Sequence, residues 1–449
     1  MIVVVAALAL AVPSPASAHG LTGRADLPIP IWLFSWGAAV VMVLSFAALG
    51  TLWSRPRLED DRFRPLPDVL GRVLTSRGVE ILCGLVGVLL LVVVIVCGFA
   101  GAQVAPQNLT PTFVYVVFWL GFVPVSVVFG DVFRAFNPWR AIGRVVGAAF
   151  RRVELEPLPY PERLGLWPAA AGLLAFAWLE LVTPYGDRPS TIAWAIVAYS
   201  VLTWFAMALY GVEAWTRRGE AFSVYFGLFS RLSPLELRGR VLGLRPFLSG
   251  LARAEAPAGT VAVVMVMIGT VTFDGISAGP TWLEQTTPMT SWVADLGFGP
   301  RFGVEIVYGA GMLAVVALLS AVYRLAAGAY ASRYALSMVP IALAYCAAHY
   351  VSLLLFTGQN AFFLASDPLG RGWDLFGTAD GRMSFFISAE VFWYLQLCFV
   401  IGGHVTAIVL AHDRALVMKA GRRSQRAMLA VMIGFTVLAL WLLSEASKG

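Results

Sequence analysis

Charged residues are scarce in this 449-residue chain. Asp, Glu, Lys and Arg together account for 13% of it, whereas 59% of the residues are hydrophobic and the mean hydropathy is +0.79. A soluble globular domain carries about 25% charged residues, so this composition excludes one. Cysteine and histidine are also rare, with four of each. The sequence instead predicts an all-α integral membrane protein with a single polytopic domain over residues 19–449.

Several motifs that would identify a function are missing as well. The four cysteines lie in apolar stretches without a CxxC pair, which excludes a disulfide framework and a two-cysteine metal motif. No H-E-x-x-H, phosphate-binding P-loop or G-x-S-x-G motif occurs. The net charge of +6 does not indicate a nucleic-acid partner, because the basic residues lie between apolar stretches and form no separate domain. The predicted partner is the lipid bilayer.

Residues 1–18 are typical of a secretory signal peptide. A short apolar run ends in small residues at Ala16 and Ala18, the usual pattern before a cleavage site, although no basic residue precedes the run. Cleavage after Ala18 would make His19 the new N-terminus. A free N-terminal histidine can chelate one metal ion through its amine and its ring; the alternative is an ordered N-terminal cap without metal.

Apolar stretches beyond the leader predict about ten transmembrane helices in a single bundle. Their predicted ranges are 31–53, 79–101, 112–130, 166–183, 190–211, 259–280, 302–323, 334–356, 388–411 and 428–444. Basic loops are retained in the cytoplasm, so the arginines predict the orientation. With His19 outside, 26 of the 32 Lys and Arg residues lie in inner loops. The sequence therefore predicts a multi-pass protein of the bacterial plasma membrane with both mature ends outside.

Two of the predicted inner loops contain further apolar segments, FNPWRAIGRVVGAAFRR and EAFSVYFGLFSR. In the first, Asn137 is the predicted N-cap and Pro138 the first helical residue. In the second, Phe222 and Phe226 recur at helical spacing. Both segments predict amphipathic helices in the cytoplasmic headgroup layer, with their arginines on anionic lipid. The alternative is a docking site for a cytoplasmic partner.

Ionisable side chains in the predicted outer half of the bundle are the candidate functional groups, because a charge inside a span must face protein, water or a ligand. Five such groups occur there: Glu180, Asp274, Glu305, His349 and Glu390. Asp274, His349 and Glu390 are the candidate catalytic residues. His19, Asp274 and His349 are the predicted ligands of a divalent metal ion. The alternative is that each polar group is satisfied singly by backbone or water.

Two deeper histidines form a candidate relay toward the cytoplasm. His404 lies in the ninth predicted span and His412 at its cytoplasmic end, about 12 Å apart along a helix, which is too far to chelate one ion directly. A haem is disfavoured, because His349 and His404 lie at different predicted depths. Gly402 and Gly403 are expected to permit close helix packing.

Four stretches of the chain, AHGLTGRADLPIPIWLFSWG, GDVFRAFNPWR, SDPLGRGWDLFGTAD and GGHVTAIVLAHDRAL, resemble actinobacterial polytopic membrane proteins known as fenitrothion hydrolases. The resemblance runs over nearly the whole chain. It implies hydrolysis of an organophosphate triester, a small-molecule substrate, on the exported face of the membrane, and a partner subunit. It brings no assignment of catalytic residues.

Three classes of function therefore remain open. A hydrolase predicts an outward pocket with a cation held by at least three ligands. A transporter for a metal ion or a proton-coupled solute predicts polar groups that continue through the membrane to His404. A non-catalytic subunit of an envelope complex predicts that the inner apolar segments are docking surfaces.

Overall fold

The computed structural model describes residues 31–151 and 156–446, and most of these residues are helical. The α-helices are α1 (Ile31–Leu52), α2 (Asp68–Leu74), α3 (Arg77–Ala100), α4 (Leu109–Pro111), α5 (Phe122–Phe129), α6 (Phe133–Phe136), α7 (Pro138–Arg151), α8 (Trp167–Leu181), α9 (Pro189–Tyr210), α10 (Val212–Arg218), α11 (Ala221–Ser230), α12 (Ser249–Ala252), α13 (Thr260–Ser277), α14 (Pro280–Val293), α15 (Pro300–Ala327), α16 (Ala331–Ala335), α17 (Val339–Leu355), α18 (Asn360–Ser366), α19 (Ala389–Val417) and α20 (Arg422–Ala446). The predicted signal peptide, residues 1–18, and His19 lie outside the described residues.

Seven stretches of the described chain are long and apolar enough to cross a membrane. One of them, Pro300–Leu355, runs from α15 to α17 and contains two of the predicted spans. Another, Leu109–Phe129, joins α4 and α5 through a π-helical stretch. α1 and α8 coincide with two further predicted spans and are, with α11, the shorter apolar helices of the described chain. The described helices fit an all-α multi-pass membrane protein, and the number of spans stays a prediction.

Helix α13 lies at the centre of the bundle, and 83% of its 18 residues are buried. It is apolar on all sides and packs against α8, α15, α17 and α20, as expected for a helix enclosed by others. The hydroxyls of Thr270 and Thr272 donate to backbone carbonyls four residues earlier, which satisfies them within the helix. Asp274 is the single ionisable residue of α13.

Helices α17 and α19 cross closely at Gly403. A Cβ atom at Gly403 would lie 2.4 Å from the Cβ of Ala344 and 2.7 Å from the carbonyl oxygen of Pro340. Gly402 faces open space within 4 Å. One of the two predicted glycines therefore makes the close approach.

The interfacial position predicted for EAFSVYFGLFSR is wrong. This segment forms α11, and eight of its ten residues are buried against neighbours that include α5 and α8. The helix carries no charged residue, and Val224 and Leu228 lie on the face opposite the aromatic residues. A helix that is apolar all round is buried in protein, because it has no polar face for water.

One end of the bundle, which we call the arginine-rich end, carries the ion-paired arginines Arg134, Arg140, Arg144, Arg238, Arg245 and Arg253. Here α7 begins as predicted: the Arg140 amide donates to the Asn137 side-chain oxygen at 2.9 Å, and Pro138 is the first helical residue. A small antiparallel sheet lies at the same end, in the order β1 (Arg64–Pro65), β3 (Val241–Leu244), β2 (Leu235–Arg238). The position of α7 in a headgroup layer stays a prediction.

Candidate functional site

Asp274 forms the centre of a buried polar group. It lies one turn before the end of α13, and only 2% of its surface is exposed. Its Oδ2 atom is 2.9 Å from the His349 Nε2 atom and accepts a hydrogen bond from the Tyr350 hydroxyl at 2.7 Å. The structure therefore brings together two of the residues that the sequence singled out, 75 positions apart.

His349 and Tyr350 are consecutive residues of α17. The side chains of successive helix residues point about 100° apart. His349 and Tyr350 nevertheless reach the same oxygen of Asp274, because α17 packs directly on α13. Tyr350 is fully enclosed, and the Trp119 ring packs against it with the centroids 4.9 Å apart. The His349 side chain is 12% exposed. His349 is thus the member of the group that a small molecule can reach.

The two ring nitrogens of His349 have different surroundings. Nε2 faces Asp274, and an Nε2–H that donates to the carboxylate leaves the lone pair on Nδ1. Nδ1 makes no hydrogen bond to the part of the chain that the structure describes. A carboxylate that fixes one histidine nitrogen and leaves the other open is the arrangement of a general base or of a metal-binding histidine.

Glu180 of α8 is a second, half-buried carboxyl beside this group. It lies close enough to Asp274 for the two carboxyl groups to interact electrostatically. Its Oε2 atom is buried and has no hydrogen-bond partner among the described residues. We refer to Glu180, Asp274, His349 and Tyr350 as the Asp274 cluster.

A further contact lies one turn below His349 on α17. Cys346, which shares a helix face with His349, contacts the Tyr225 hydroxyl of α11 through its sulfur at 3.7 Å. Tyr225 is buried, so α11 reaches the neighbourhood of the Asp274 cluster. This contact was not predicted from the sequence, because α11 was predicted at the membrane surface.

The remaining predicted site residues are not part of the Asp274 cluster. Glu390 lies in the first turn of α19 and is exposed, without a hydrogen bond or an ion pair to Asp274 or His349. His19 lies outside the described residues. Within residues 31–151 and 156–446, no three His, Cys, Asp or Glu side chains are grouped to hold a metal ion. Two of the three predicted metal ligands, Asp274 and His349, do lie next to each other.

The two candidate relay histidines are buried in α19 and bond to backbone. His404 lies 2.7 Å from the Val400 carbonyl through Nδ1, and His412 lies 3.0 Å from the Trp53 carbonyl through Nε2. The other nitrogen of each ring is buried without a partner in the described chain. Ile408 is the residue midway between them on the helix, and it is buried and apolar. The structure places no polar side chain of α19 between these two histidines on that face.

Two members of the Asp274 cluster were outside the predicted site. Glu180 was among the predicted outer-half acids, but nothing in its own segment linked it to Asp274. Tyr350 directly follows His349 in the sequence, and a tyrosine beside an intramembrane histidine is the signal that could have identified it.

The described helices fit a multi-pass membrane protein, and they enclose a hydrogen-bonded group of Asp274, His349 and Tyr350. Comparisons with protein-family models, curated proteins and solved structures found no match to this chain.

Proposed function

We propose that this protein is a membrane-embedded hydrolase in which His349 is the general base. The hydrogen bond between buried Asp274 and His349 carries the proposal, because it fixes the ring and leaves Nδ1 open. Asp274 would stabilise the imidazolium that forms during the reaction, as the carboxylate does in catalytic triads. Tyr350 holds the same carboxylate oxygen and so orients Asp274.

The proposed substrate is an organophosphate triester with an aryl leaving group, the class that the sequence resemblance implies. His349 Nδ1 takes a proton from water while the water oxygen attacks phosphorus. The bond from phosphorus to the aryl oxygen breaks and leaves a phosphodiester and an aryloxide. The proton then passes from His349 to the aryloxide or to solvent. The loop charges predict that this site opens to the outside of the cell.

A divalent metal ion is the alternative to this role of His349, because the Nδ1 lone pair can bind an ion or accept a proton but not both. His349 Nδ1 would then bind the ion and Asp274, predicted as a ligand, would orient the ring instead, with His19 as a further predicted ligand. Such an ion would supply an activated water. Elemental analysis of the purified mature chain, together with N-terminal sequencing, tests both the ion and the leader.

The test is hydrolysis of fenitrothion by the purified full-length protein in lipid nanodiscs, followed by the absorbance of the released phenol. We expect His349→Gln to lower kcat by roughly 10²–10⁴-fold, because the amide keeps a bond to Asp274 but cannot accept the proton. His412→Gln is the matched control, since that histidine bonds to the Trp53 backbone far along α19. Wild-type activity in His349→Gln, or equal losses in the two variants, would contradict the proposal.

Glu180 favours a proton-coupled transporter as the second candidate. A buried carboxyl oxygen without a partner, beside a second carboxyl, is typical of a group that binds and releases protons during transport. In proteoliposomes with an internal pH dye, this candidate predicts solute-driven proton uptake that Glu180→Gln abolishes and Glu305→Gln leaves intact. The hydrolase predicts no such uptake. The third class, a subunit of an envelope complex with a membrane partner, predicts neither activity.

A further inference from the structure

A large groove lies at the arginine-rich end, away from the Asp274 cluster. It has a volume of about 1590 Å³ and lies between α3, α7 and α9. Small-molecule pockets typically measure about 300–1,000 Å³, so this groove has room for a larger ligand. Its walls are largely apolar and include Ile81, Leu85 and Phe205, all of which are exposed. α3 and α9 are both long and apolar enough to cross a membrane, so these walls are in a position to face lipid.

A network of ion pairs centred on Arg140 lies among the residues that line the groove. The Arg140 side chain of α7 is only 7% exposed and pairs with Glu80 at 3.2 Å and with Glu213 at 2.8 Å. Arg144, one turn further on, pairs with the same two acids. The charges of Glu80 and Glu213 are therefore neutralised by arginines of α7.

The rim of the groove carries cations that the described chain does not neutralise. Arg77, the first residue of α3, and Arg240, in the β2–β3 turn, are exposed lining residues. Neither forms an ion pair with another residue among those described. Glu156 is the one further acid in the lining and is also exposed. The lining thus has four arginines and three glutamates, and its unpaired cations lie at the mouth.

We propose that this groove binds one anionic phospholipid. The lipid phosphate would lie between Arg77 and Arg240, and an acyl chain would follow the apolar wall formed by Ile81, Leu85 and Phe205. Guanidinium groups bind phosphate through paired hydrogen bonds, and the net positive lining favours an anionic over a zwitterionic headgroup. Arg77 begins a membrane-length helix, which is the depth at which a headgroup lies.

The site is separate from the Asp274 cluster and does not depend on the proposed hydrolase. The predicted orientation places the arginine-rich end in the cytoplasmic leaflet, where anionic lipids attract basic residues with about 1 kcal/mol per residue. That attraction corresponds to about a fivefold change in affinity for each arginine.

The experiment is native mass spectrometry of the full-length protein with phosphatidylglycerol or with phosphatidylcholine of the same acyl chains. We expect one phosphatidylglycerol to be retained in preference to phosphatidylcholine. The single variants Arg77→Gln and Arg240→Gln should each lose about fivefold of that preference, and the double variant should lose nearly all of it. Arg324→Gln/Arg333→Gln is the matched control, since both arginines are exposed and lie outside the groove.

Three results would overturn the proposal. They are equal retention of the two lipids, an unchanged preference in the double variant, and an equal loss in the control pair. A competition arm uses glycerol 3-phosphate, which has the anion without the acyl chain. We expect it to leave the bound lipid in place at millimolar concentration, and displacement would mean that the groove is a site for a free phosphate. Because Arg77 and Arg240 are exposed and unpaired, the single variants are expected to fold normally, which size-exclusion chromatography checks.

Discussion

The carboxylates at the arginine-rich end and in the Asp274 cluster have different kinds of partner. At the arginine-rich end, the carboxylates of Glu80 and Glu213 each pair with arginines. In the Asp274 cluster, Asp274 instead bonds to a histidine and a tyrosine, side chains that can be neutral. A carboxylate paired with a permanent cation holds a structure together, whereas one bonded to histidine can take part in proton transfer. This difference is the reason why we propose the Asp274 cluster, and not the arginine-rich end, as the site of chemistry.

The strongest test of this comparison is Asp274→Asn. The asparagine is nearly isosteric but cannot stabilise an imidazolium, so we expect kcat for fenitrothion hydrolysis to fall by roughly 10²–10⁴-fold. Glu80→Gln at the other end should leave kcat unchanged, although it removes ion pairs with Arg140 and Arg144. If Glu80→Gln reduced kcat as much as Asp274→Asn, the division between the two ends would not hold.

A stability measurement on Glu220 tests the comparison from the other side, because this buried carboxylate has neutral partners and no histidine. This glutamate is fully buried at the start of α11 and accepts hydrogen bonds from the Asn137 amide at 2.9 Å, from the Ser223 backbone N–H at 2.8 Å and from the Tyr199 hydroxyl. Glu220→Ala would leave these donors buried and unpaired, so we expect a loss of about 2–4 kcal/mol in the free energy of unfolding. Thermal unfolding in detergent measures it.

The control for Glu220 is Glu162→Ala. Glu162 is exposed, and such a substitution changes the free energy of unfolding by about 0.5 kcal/mol or less. Similar unfolding temperatures for the two variants would mean that Glu220 is not a structural anchor.

A smaller effect is expected midway between the ends, where α17 and α19 cross. Gly403→Ala places a Cβ atom within 2.4 Å of Ala344, so the helices must separate, at a cost of about 1–3 kcal/mol in the free energy of unfolding. Gly402→Ala meets nothing within 4 Å and should be silent. Because α17 carries His349, Gly403→Ala should also lower activity, whereas an unfolding temperature equal to that of Gly402→Ala would show that the crossing is loose.

The smallest effect is a pH dependence at the arginine-rich end. The hydrogen bond from Arg238 holds the pKa of Asp61 below its ordinary value of 3.8. Burial raises the pKa of Glu236, but Arg238, Arg245 and Arg253 outweigh it and lower that pKa below 4.5. Both folded-state pKa values are depressed, so their contribution to stability is present above about pH 4.5 and is lost as the pH falls further.

Thermal unfolding at a series of pH values measures this contribution, with Arg238→Gln as the comparison. The wild-type protein should unfold at a slightly higher temperature than the variant at pH 6, and the difference should shrink as the pH falls below 4. A difference that stays constant over this range would mean that these exposed pairs contribute nothing that depends on ionisation.

Sequence reasoning was most successful where a pattern is local. Apolar length predicted helices at every proposed span, and Asn137 with Pro138 predicted the start of α7. The contact between Asp274 and His349 was predicted from their common depth in the membrane, since two polar groups at one level of a bundle tend to meet. Tyr350 could not be assigned in this way, because its role depends on how α17 is rotated against α13.

The failures also have physical causes. A stripe of aromatic residues on α11 resembled an amphipathic helix, but burial is decided by what encloses the other faces. Glu390 was grouped with His349 by depth alone, whereas its position in the first turn of α19 leaves it exposed. Tertiary packing, which the sequence does not report, decided both outcomes.

The burial of α11 has a consequence for the order in which the chain assembles. With ten residues, α11 is about 15 Å long and too short to cross a bilayer, and arginines lie on both sides of it in the sequence. Its neighbours α5 and α8 are synthesised before it, but α17, which contacts Tyr225, emerges more than 100 residues later. The contact of Tyr225 with α17 therefore forms only after the C-terminal helices have been inserted, whereas Phe222 and Phe226 pack on the earlier residue Phe118. A ribosome that stalls before α17 would hold an intermediate in which Tyr225 lacks that contact.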